Sequence, residues 1–336
     1  MRLFRLLILF FSLTGLSPIS ADLLFESDAV LDIELTGPID TLIENKNDRT
    51  DYPFVLHIDG KDHNIMVRAR GKSRLRVCDF PPLRFNFETG DMSQTDFAGL
   101  SKLKLVTHCR NGPKNEYDVL EEYAAYRIFM LLSNISYRVR LLRLTYIDTD
   151  QRLKNVRPRY AFAIEPQEHV AERVGGTRLN VTGVRKSELN NNQAAIVYVF
   201  QYLIGNTDWS FVLAENDDEC CHNGDLIKIG EEIFYVPYDF DLAGIVNARY
   251  AKPDPSLKLK NVRLRRYRGY CTDRQTLHKA IRFVKAQKSE VLDVAQTLPG
   301  LSSKQTDKVV DYLDKFFDRA EDEESLLKEY ERRCLG

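Results

Sequence analysis

Apolar and polar residues alternate in short runs through the first third of the chain. A period of two is typical of a strand with one buried face, so we predict a strand-rich region here. Asp59-Gly60 separates two of the runs and indicates a hairpin. The runs are Ala29–Thr36, Phe54–Ile58, Asn64–Arg70, Leu83–Phe87 and Leu103–Thr107.

Helical spacing replaces this alternation further along the chain. Apolar residues three and four apart predict a helix over 116–132, and most of 272–333 has the same period. Residues 191–204 are apolar on nearly every side, as in a buried helix. Four more short strands are predicted at Arg140–Ile147, Arg159–Ile164, Leu226–Ile229 and Ile233–Val236. The pattern therefore predicts a strand-rich first part and a mainly helical second part.

The first 21 residues have the composition of a secretory signal. Arg2 and Arg5 precede an apolar run over 6–16, and the small residues Ser20 and Ala21 suit a cleavage site. This run is short for a hydrocarbon layer of about 30 Å, and no later segment is long enough to span one. We expect cleavage, export and no stable membrane span afterwards. An uncleaved membrane anchor is the alternative.

Cysteine usage agrees with an exported chain. Six cysteines follow the predicted signal, and an even number in such a chain favours disulfides. Cys78 with Cys109 is the first pairing that we expect, because both lie near predicted strand ends in the strand-rich region; the other connectivities stay open. Cys220-Cys221-His222 could instead bind a metal, but it lacks a second ligand pair at metal spacing.

Charge and known motifs exclude several function classes. Lys and Arg number 48 and Asp and Glu number 49, so the chain lacks the basic excess of a nucleic-acid-binding protein. It contains neither the H-E-x-x-H motif of zinc peptidases nor the G-x-S-x-G motif of esterases.

Three aspartates stand at the ends of predicted core elements. Asp208 follows the buried helix, and Asp239 and Asp241 follow the strand that ends near Val236. Carboxylates held in this way suit a divalent cation, since Mg²⁺ is usually bound by one or two carboxylates together with substrate phosphates. Spacing alone leaves the alternative that these side chains only cap turns and accept structural hydrogen bonds.

The order of the predicted elements follows the protein-kinase plan, and four segments resemble the CotH family of atypical secreted kinases. The resemblance covers roughly residues 50–250. It implies an α+β, bilobal protein-kinase-like fold, with a signal peptide at 1–21, a strand-rich N-terminal lobe at 22–166 and a mainly helical C-terminal lobe at 167–336. The segments are RARGKS at 68–73, PLRFNF at 82–87, GNTDWS at 205–210 and YDFD at 238–241.

The resemblance implies Mg²⁺-dependent transfer of a phosphoryl group from ATP to a hydroxyl of an exported protein or envelope component. Asp208 would orient and deprotonate the acceptor, and Asp239 and Asp241 would bind the metal. Kinases place a metal-binding Asn five residues after the catalytic Asp, where this chain has Leu213, so Asn216 or Asn206 would have to replace it.

Basic residues of the strand-rich part would hold the phosphates. Lys104 is the first choice, with Lys102 on the same strand face and Arg84 as alternatives. Because the chain has no G-x-G-x-x-G loop, Arg70 and Ser73 beside Gly71 would cover the phosphates instead. Of the two acidic candidates on the following helix, the helical angle favours Glu121 over Glu122 as the partner of the lysine.

The basic segment Lys258–Arg268 follows the Asp239 region, where a kinase would bind its acceptor. We expect an acidic or phosphate-bearing protein substrate there; a strand with one charged face is the alternative. Two other functions stay open. One is a non-catalytic binding or scaffold protein of the cell envelope with the same fold. The other is an unrelated exported enzyme that uses the aspartates for metal-dependent hydrolysis.

Overall fold

The N-terminal strands close into a seven-stranded barrel. In the computed structural model, which describes residues 23–88, 90–152, 157–211 and 220–336, the strand order is β1-β2-β3-β4-β5-β7-β6, and β1 pairs in parallel with β6 to close it. The strands are β1 (Leu31–Gly37), β2 (Tyr52–Ile58), β3 (Lys61–Ala69), β4 (Leu83–Asn86), β5 (Lys102–Val106), β6 (Val139–Asp148) and β7 (Arg159–Ile164).

Side chains alternate between the barrel interior and its outer face. Val67, Phe85 and Leu103 are fully buried inside. Their neighbours Arg84 and Lys104 lie opposite each other on the paired strands β4 and β5, and so share the outer face. The predicted alternation is confirmed. The strands do not form the open sheet of a kinase N-terminal lobe, because the pairing of β1 with β6 closes the sheet and leaves it without edge strands.

Helices cover the barrel and form the rest of the molecule. Four helices lie within or beside the strand-rich part: α1 (Leu23–Glu26), α2 (Ile39–Glu44), α3 (Ser73–Val77) and α4 (Pro113–Leu132). The others are α5 (Gln167–Arg173), α6 (Asn191–Ile204), α7 (Arg274–Ala286), α8 (Lys288–Gln296), α9 (Ser303–Ala320) and α10 (Glu323–Arg333). The chain is thus a mixed α/β protein.

Helix α6 ends where the predicted catalytic segment begins. Its first turn is capped by Asn190, whose side chain accepts from the Gln193 N–H, and most of the helix is buried as predicted. Gly205 ends it with φ of 69°, and a Cβ at this position would lie 2.0 Å from the Tyr312 hydroxyl. Only glycine satisfies both constraints, so this residue directs the chain into the Asp208 loop.

A second sheet positions the other aspartates. Its strands are β8 (Thr177–Arg178), β9 (Gly224–Ile229) and β10 (Glu232–Pro237), in the order β10-β9-β8. Asp239 lies two residues after the end of β10 and has a positive φ of 59°. The turn after β10 is therefore sharp, and it places Asp239 and Asp241 beside the barrel.

All six cysteines are paired. The predicted Cys78–Cys109 disulfide is confirmed, Cys271 bonds to Cys334, and the neighbours Cys220 and Cys221 bond to each other. The alternative of a metal site at Cys220-Cys221-His222 is not supported, because both sulfurs are engaged in a covalent bond. The predicted signal at 1–21 lies outside the described residues. Over the described ranges, every helix is too short or too polar to cross a membrane.

Candidate functional site

A cavity of about 80 Å³ lies where the β3–β4 connection, β5 and α4 meet the turn after β10. Its lining includes four basic side chains and three carboxylates. Residues 71–73 also belong to the lining. The lining side chains with ionisable or hydroxyl groups are Arg70, Lys72, Ser73, Arg74, Lys104, Glu122, Tyr126, Tyr137, Asp225, Tyr238 and Asp239. The structure therefore brings Arg70, Ser73, Lys104 and Asp239 of the predicted site residues to one place.

Asp239 lines the cavity, and Asp241 lies close to it without contributing to the lining. The Asp239 N–H donates to the Tyr126 hydroxyl at 2.9 Å, and the Tyr250 hydroxyl donates to Asp241 Oδ2 at 2.9 Å. Burial, and then the charge of Asp239, raises the pKa of Asp241 to about 7. Burial also raises the pKa of Asp239, although Arg74 and Arg70 oppose the rise. The two carboxylates are close enough to repel each other when both are ionised.

Arg74 is a site residue that the sequence did not single out. Its Nη1 lies 3.4 Å from Glu122 Oε2, its Nε lies 4.0 Å from Asp241 Oδ2, and its Nη2 donates to the Thr107 carbonyl at 2.9 Å. Burial disfavours the charge, but Tyr250, Glu122 and Asp241 offset this and hold the pKa of Arg74 above its ordinary value. The available signal was its position five residues beyond β3, in the loop predicted to cover phosphate.

Lys104 of β5 lines the cavity together with Arg70. Desolvation, and then the neighbouring Arg70, lowers the pKa of Lys104. The Nε of Arg70 donates a hydrogen bond to the Leu105 carbonyl at 3.3 Å. The Arg70 guanidinium also interacts electrostatically with the Asp239 carboxylate. The other two basic candidates do not line the cavity: Arg84 lies 3.8 Å from Asp51, and Lys102 lies 3.2 Å from Glu88.

The structure places Glu122 in the cavity, and not the predicted Glu121. Glu121 Oε1 accepts from Gln305 Nε2 of α9 at 2.5 Å, on the side of α4 that faces the helical part. The helical angle favoured Glu121 on the assumption that α4 has one buried stripe. Helix α4 is buried on almost all sides, so its apolar stripe does not show which face meets the cavity.

Asp208 lines a second cavity of about 280 Å³, which shares no lining residue with the first. His222 Nε2 is 2.9 Å from Asp208 Oδ1, and Asn223 Nδ2 donates to Asp208 Oδ2 at 2.8 Å. Asp208 also raises the pKa values of Asp239 and Asp241, so its charge reaches the first cavity. His222 and Asn223, the two partners of Asp208, follow Cys220 and Cys221 in the sequence. No sequence spacing predicted that these two residues would contact Asp208. The predicted metal ligand Asn216 lies outside the described residues.

The acidic groups fit a metal only in part. Among the described residues, no group of three or more His, Cys, Asp and Glu side chains could hold a metal ion. Asp208 therefore does not share one ion with Asp239 and Asp241. The pair alone still fits Mg²⁺, which takes one or two carboxylates and completes its shell with phosphate oxygens and water.

Comparisons with known proteins give distant likenesses among solved structures alone. No family model and no curated protein matches the chain. Among solved structures, the crystal structure of a Helicobacter pylori proinflammatory kinase, CtkA, is similar over 84% of this chain and 91% of that chain, with 11% identity and a TM-score of 0.35. A likeness at this level does not establish a shared activity.

Proposed function

We propose that the protein is a CotH-like kinase that binds ATP with Mg²⁺ in the first cavity and phosphorylates a hydroxyl of an exported protein or envelope component. The observation that carries the proposal is the meeting of Lys104 and Arg70 with the Asp239 carboxylate around one cavity, with Asp241 close to Asp239 outside the lining. Cations that face a carboxylate pair are what a nucleotide phosphate and its metal require.

Each group has a defined task in this proposal. Lys104, Arg70 and the backbone of 71–73 bind phosphate oxygens. Asp239 and Asp241 would hold Mg²⁺, which would neutralise phosphate charge. The acceptor hydroxyl bonds to the γ-phosphorus, the bond from that phosphorus to the ADP oxygen breaks, and the hydroxyl proton passes to Asp208. His222 and Asn223 hold the Asp208 carboxylate in position.

The fold suits this arrangement if the barrel acts as the N-terminal lobe, over 22–166, and the helical part as the C-terminal lobe, over 167–336. The first cavity then lies between the lobes, and Glu165-Pro166 joins them. Export is part of the proposal, and the three disulfides are consistent with an oxidising compartment.

The proposed acceptor is acidic. It would contact only some of the basic residues near the Asp208 cavity, and not the whole Lys258–Arg268 segment. Arg265 donates to the Leu203 carbonyl at 3.0 Å, and so holds the chain in place. Arg268 and Lys252 line the Asp208 cavity. They are the cations that an acidic acceptor would meet beside Asp208.

A second function is favoured by the size of the first cavity. Pockets for drug-sized ligands usually measure about 300–1,000 Å³, against about 80 Å³ here. Arg74 also supplies a cation among the carboxylates, where a kinase would place its metal. A non-catalytic envelope-binding or scaffold protein would need no larger opening and no ion.

Nucleotide binding separates these two functions. We expect ATP with Mg²⁺ to raise the melting temperature, with about 2.7 kcal/mol of added stability at a hundredfold excess over Kd. Lys104→Met should remove this gain. Lys102→Met is the matched control, because it removes the same charge from the same strand face outside the cavity. No gain in the unmutated chain, or an equal loss in both variants, would favour the scaffold.

A further inference from the structure

A third cavity, of about 410 Å³, opens at one mouth of the barrel. Phe80 precedes β4, His108 follows β5, Tyr146 is near the end of β6 and Arg159 begins β7, so the pairing of these strands puts all four at the same end. The volume is in the range usual for small-molecule sites, and barrel mouths are common places for them. The lining is Asp40, Ile43, Asp79, Phe80, His108, Arg110, Asn111, Tyr146, Arg152, Arg157 and Arg159.

One side of this cavity is an aromatic wall. The Phe80 and His108 rings stack with centroids 4.5 Å apart, and the Tyr146 ring lies 5.0 Å from Phe80. His108 is 4% exposed and Tyr146 is 7% exposed, yet His108 Nδ1 and the Tyr146 hydroxyl have no hydrogen-bond partner among the described residues. Buried polar atoms without partners are unfavourable, so a ligand that bonded to them would gain affinity.

The other side of the cavity is positive. Arg157 Nη2 and Arg159 Nη1 both donate to the single oxygen Glu116 Oε1, at 2.9 Å and 2.5 Å, so two cations share one carboxylate. Burial, and then Arg159 and Arg157, lowers the pKa of His108 to about 3, so the ring is neutral and its charged neighbours are cations.

The remaining two arginines have acidic partners of their own. Arg152 pairs with Asp40 and Glu44, and Arg110 lies 4.0 Å from Asp79. Arg152 thus has two acidic partners and Arg110 has one, so the ion pairs of the mouth balance as a whole, and the positive charge is confined to the Arg157 and Arg159 side, next to the aromatic wall.

We propose that the barrel mouth binds a small aromatic carboxylate, with its ring against Phe80, His108 and Tyr146 and its carboxylate toward Arg157 and Arg159. Guanidinium groups bind carboxylates with charge-assisted hydrogen bonds. The Tyr146 hydroxyl and His108 Nδ1 supply further hydrogen bonds. This site is separate from the two cavities of the proposed kinase reaction, and its occupancy does not depend on that reaction.

The test is calorimetry and ligand-observed NMR on the full chain with three probes. Benzoate carries both the ring and the charge, benzyl alcohol only the ring, and acetate only the charge. We expect saturable benzoate binding that is at least about tenfold tighter than either of the others. Lys104→Met should leave it unchanged, because Lys104 lines a different cavity.

Two variants locate the binding at the mouth. Arg157→Gln leaves one cation for Glu116 and should abolish the preference for benzoate over benzyl alcohol. Tyr146→Phe should lower benzoate affinity about threefold or more without lowering the melting temperature, since the lost hydroxyl has no partner in the protein.

Tyr330→Phe is the matched control. It removes another buried hydroxyl without a partner, in the helical part of the chain, and should not affect benzoate binding. The proposal is overturned if benzoate does not bind saturably, if benzyl alcohol or acetate binds as tightly, or if either Arg157→Gln or Tyr146→Phe binds benzoate as the unmutated chain does.

Discussion

Arg74 and Glu122 form a buried ion pair, with 3.4 Å between Nη1 and Oε2, at the point where the loop after β3 meets helix α4. Arg74 is 8% exposed and Glu122 is 2% exposed, so neither charge can be solvated by water instead. Because Asp241 Oδ2 lies 4.0 Å from the Nε of the same guanidinium, Arg74 balances part of the negative charge of the whole site.

Replacing Arg74 by Met tests how far a bound metal ion can take over the role of Arg74 in balancing the charge of the carboxylates. Loss of one partner of a buried pair leaves carboxylates without compensation, and we expect a loss of about 3–5 kcal/mol in the free energy of unfolding. Millimolar Mg²⁺ should recover part of the loss. Urea unfolding with and without Mg²⁺ measures both effects.

Arg84→Met is the control for this experiment. Arg84 pairs with Asp51 at 3.8 Å outside the cavity and is partly exposed, so its loss should cost less than about 1 kcal/mol and should not respond to Mg²⁺. An equal response of both variants to Mg²⁺ would show that the ion does not bind among the site carboxylates.

Asp208→Asn should stop phosphoryl transfer while nucleotide binding persists. The amide cannot take the acceptor proton, and loss of a general base usually lowers the rate by about 10²–10⁴-fold. Transfer of labelled phosphate to the acceptor gives the rate, and calorimetry with ATP and Mg²⁺ gives the affinity. Asp254→Asn, in the same cavity, is the control and should retain transfer. Full transfer in the Asp208 variant would remove this residue from the mechanism.

The stability of the protein should fall as the pH rises toward 8. Burial raises the pKa of Glu121 to about 8, so the folded chain keeps a proton that the unfolded chain releases near pH 4.3. Below about pH 4.3 both states hold the proton. Above it the unfolded state is favoured by about 1.4 kcal/mol per pH unit, until the folded-state pKa is passed.

Glu121→Gln should make the dependence of the melting temperature on pH between 5 and 8 less steep. Glu172→Gln, which changes an exposed glutamate on α5, is the control and should leave the dependence as it is. A pH dependence that is the same in all three proteins would mean that Glu121 is ionised in the folded state.

The Cys78–Cys109 disulfide should stabilise both the barrel and the first cavity. It ties the end of α3 to the segment after β5, across a sequence separation of 31 residues. Replacing both cysteines by Ser should lower the free energy of unfolding by about 3–4 kcal/mol, the usual value for a loop of this length. Urea unfolding checks the loss. Replacing Cys271 and Cys334 by Ser is the comparison. The loss of this second disulfide should leave nucleotide affinity unchanged.

Local patterns were sufficient to predict most elements. A strand with one buried face needs alternation, and β2, β4 and β7 lie close to the runs that have it. Helix α6 was predicted from its apolar run and ends at Gly205, as expected of a helix stopped by glycine. The pairing of β1 with β6, which closes the barrel, joins segments more than a hundred residues apart, and no local pattern specifies it.

The chain by itself thus determined where most strands and the longer helices lie, because those choices depend on neighbours a few positions away. It also determined that Asp208, Asp239 and Asp241 stand at element ends. Only the tertiary structure decided that Glu122 and not Glu121 faces the cavity, that Arg74 lies among the carboxylates, and that His222 and Asn223 hold Asp208. These contacts join residues from separate elements, and they depend on how those elements pack, which sequence spacing does not encode.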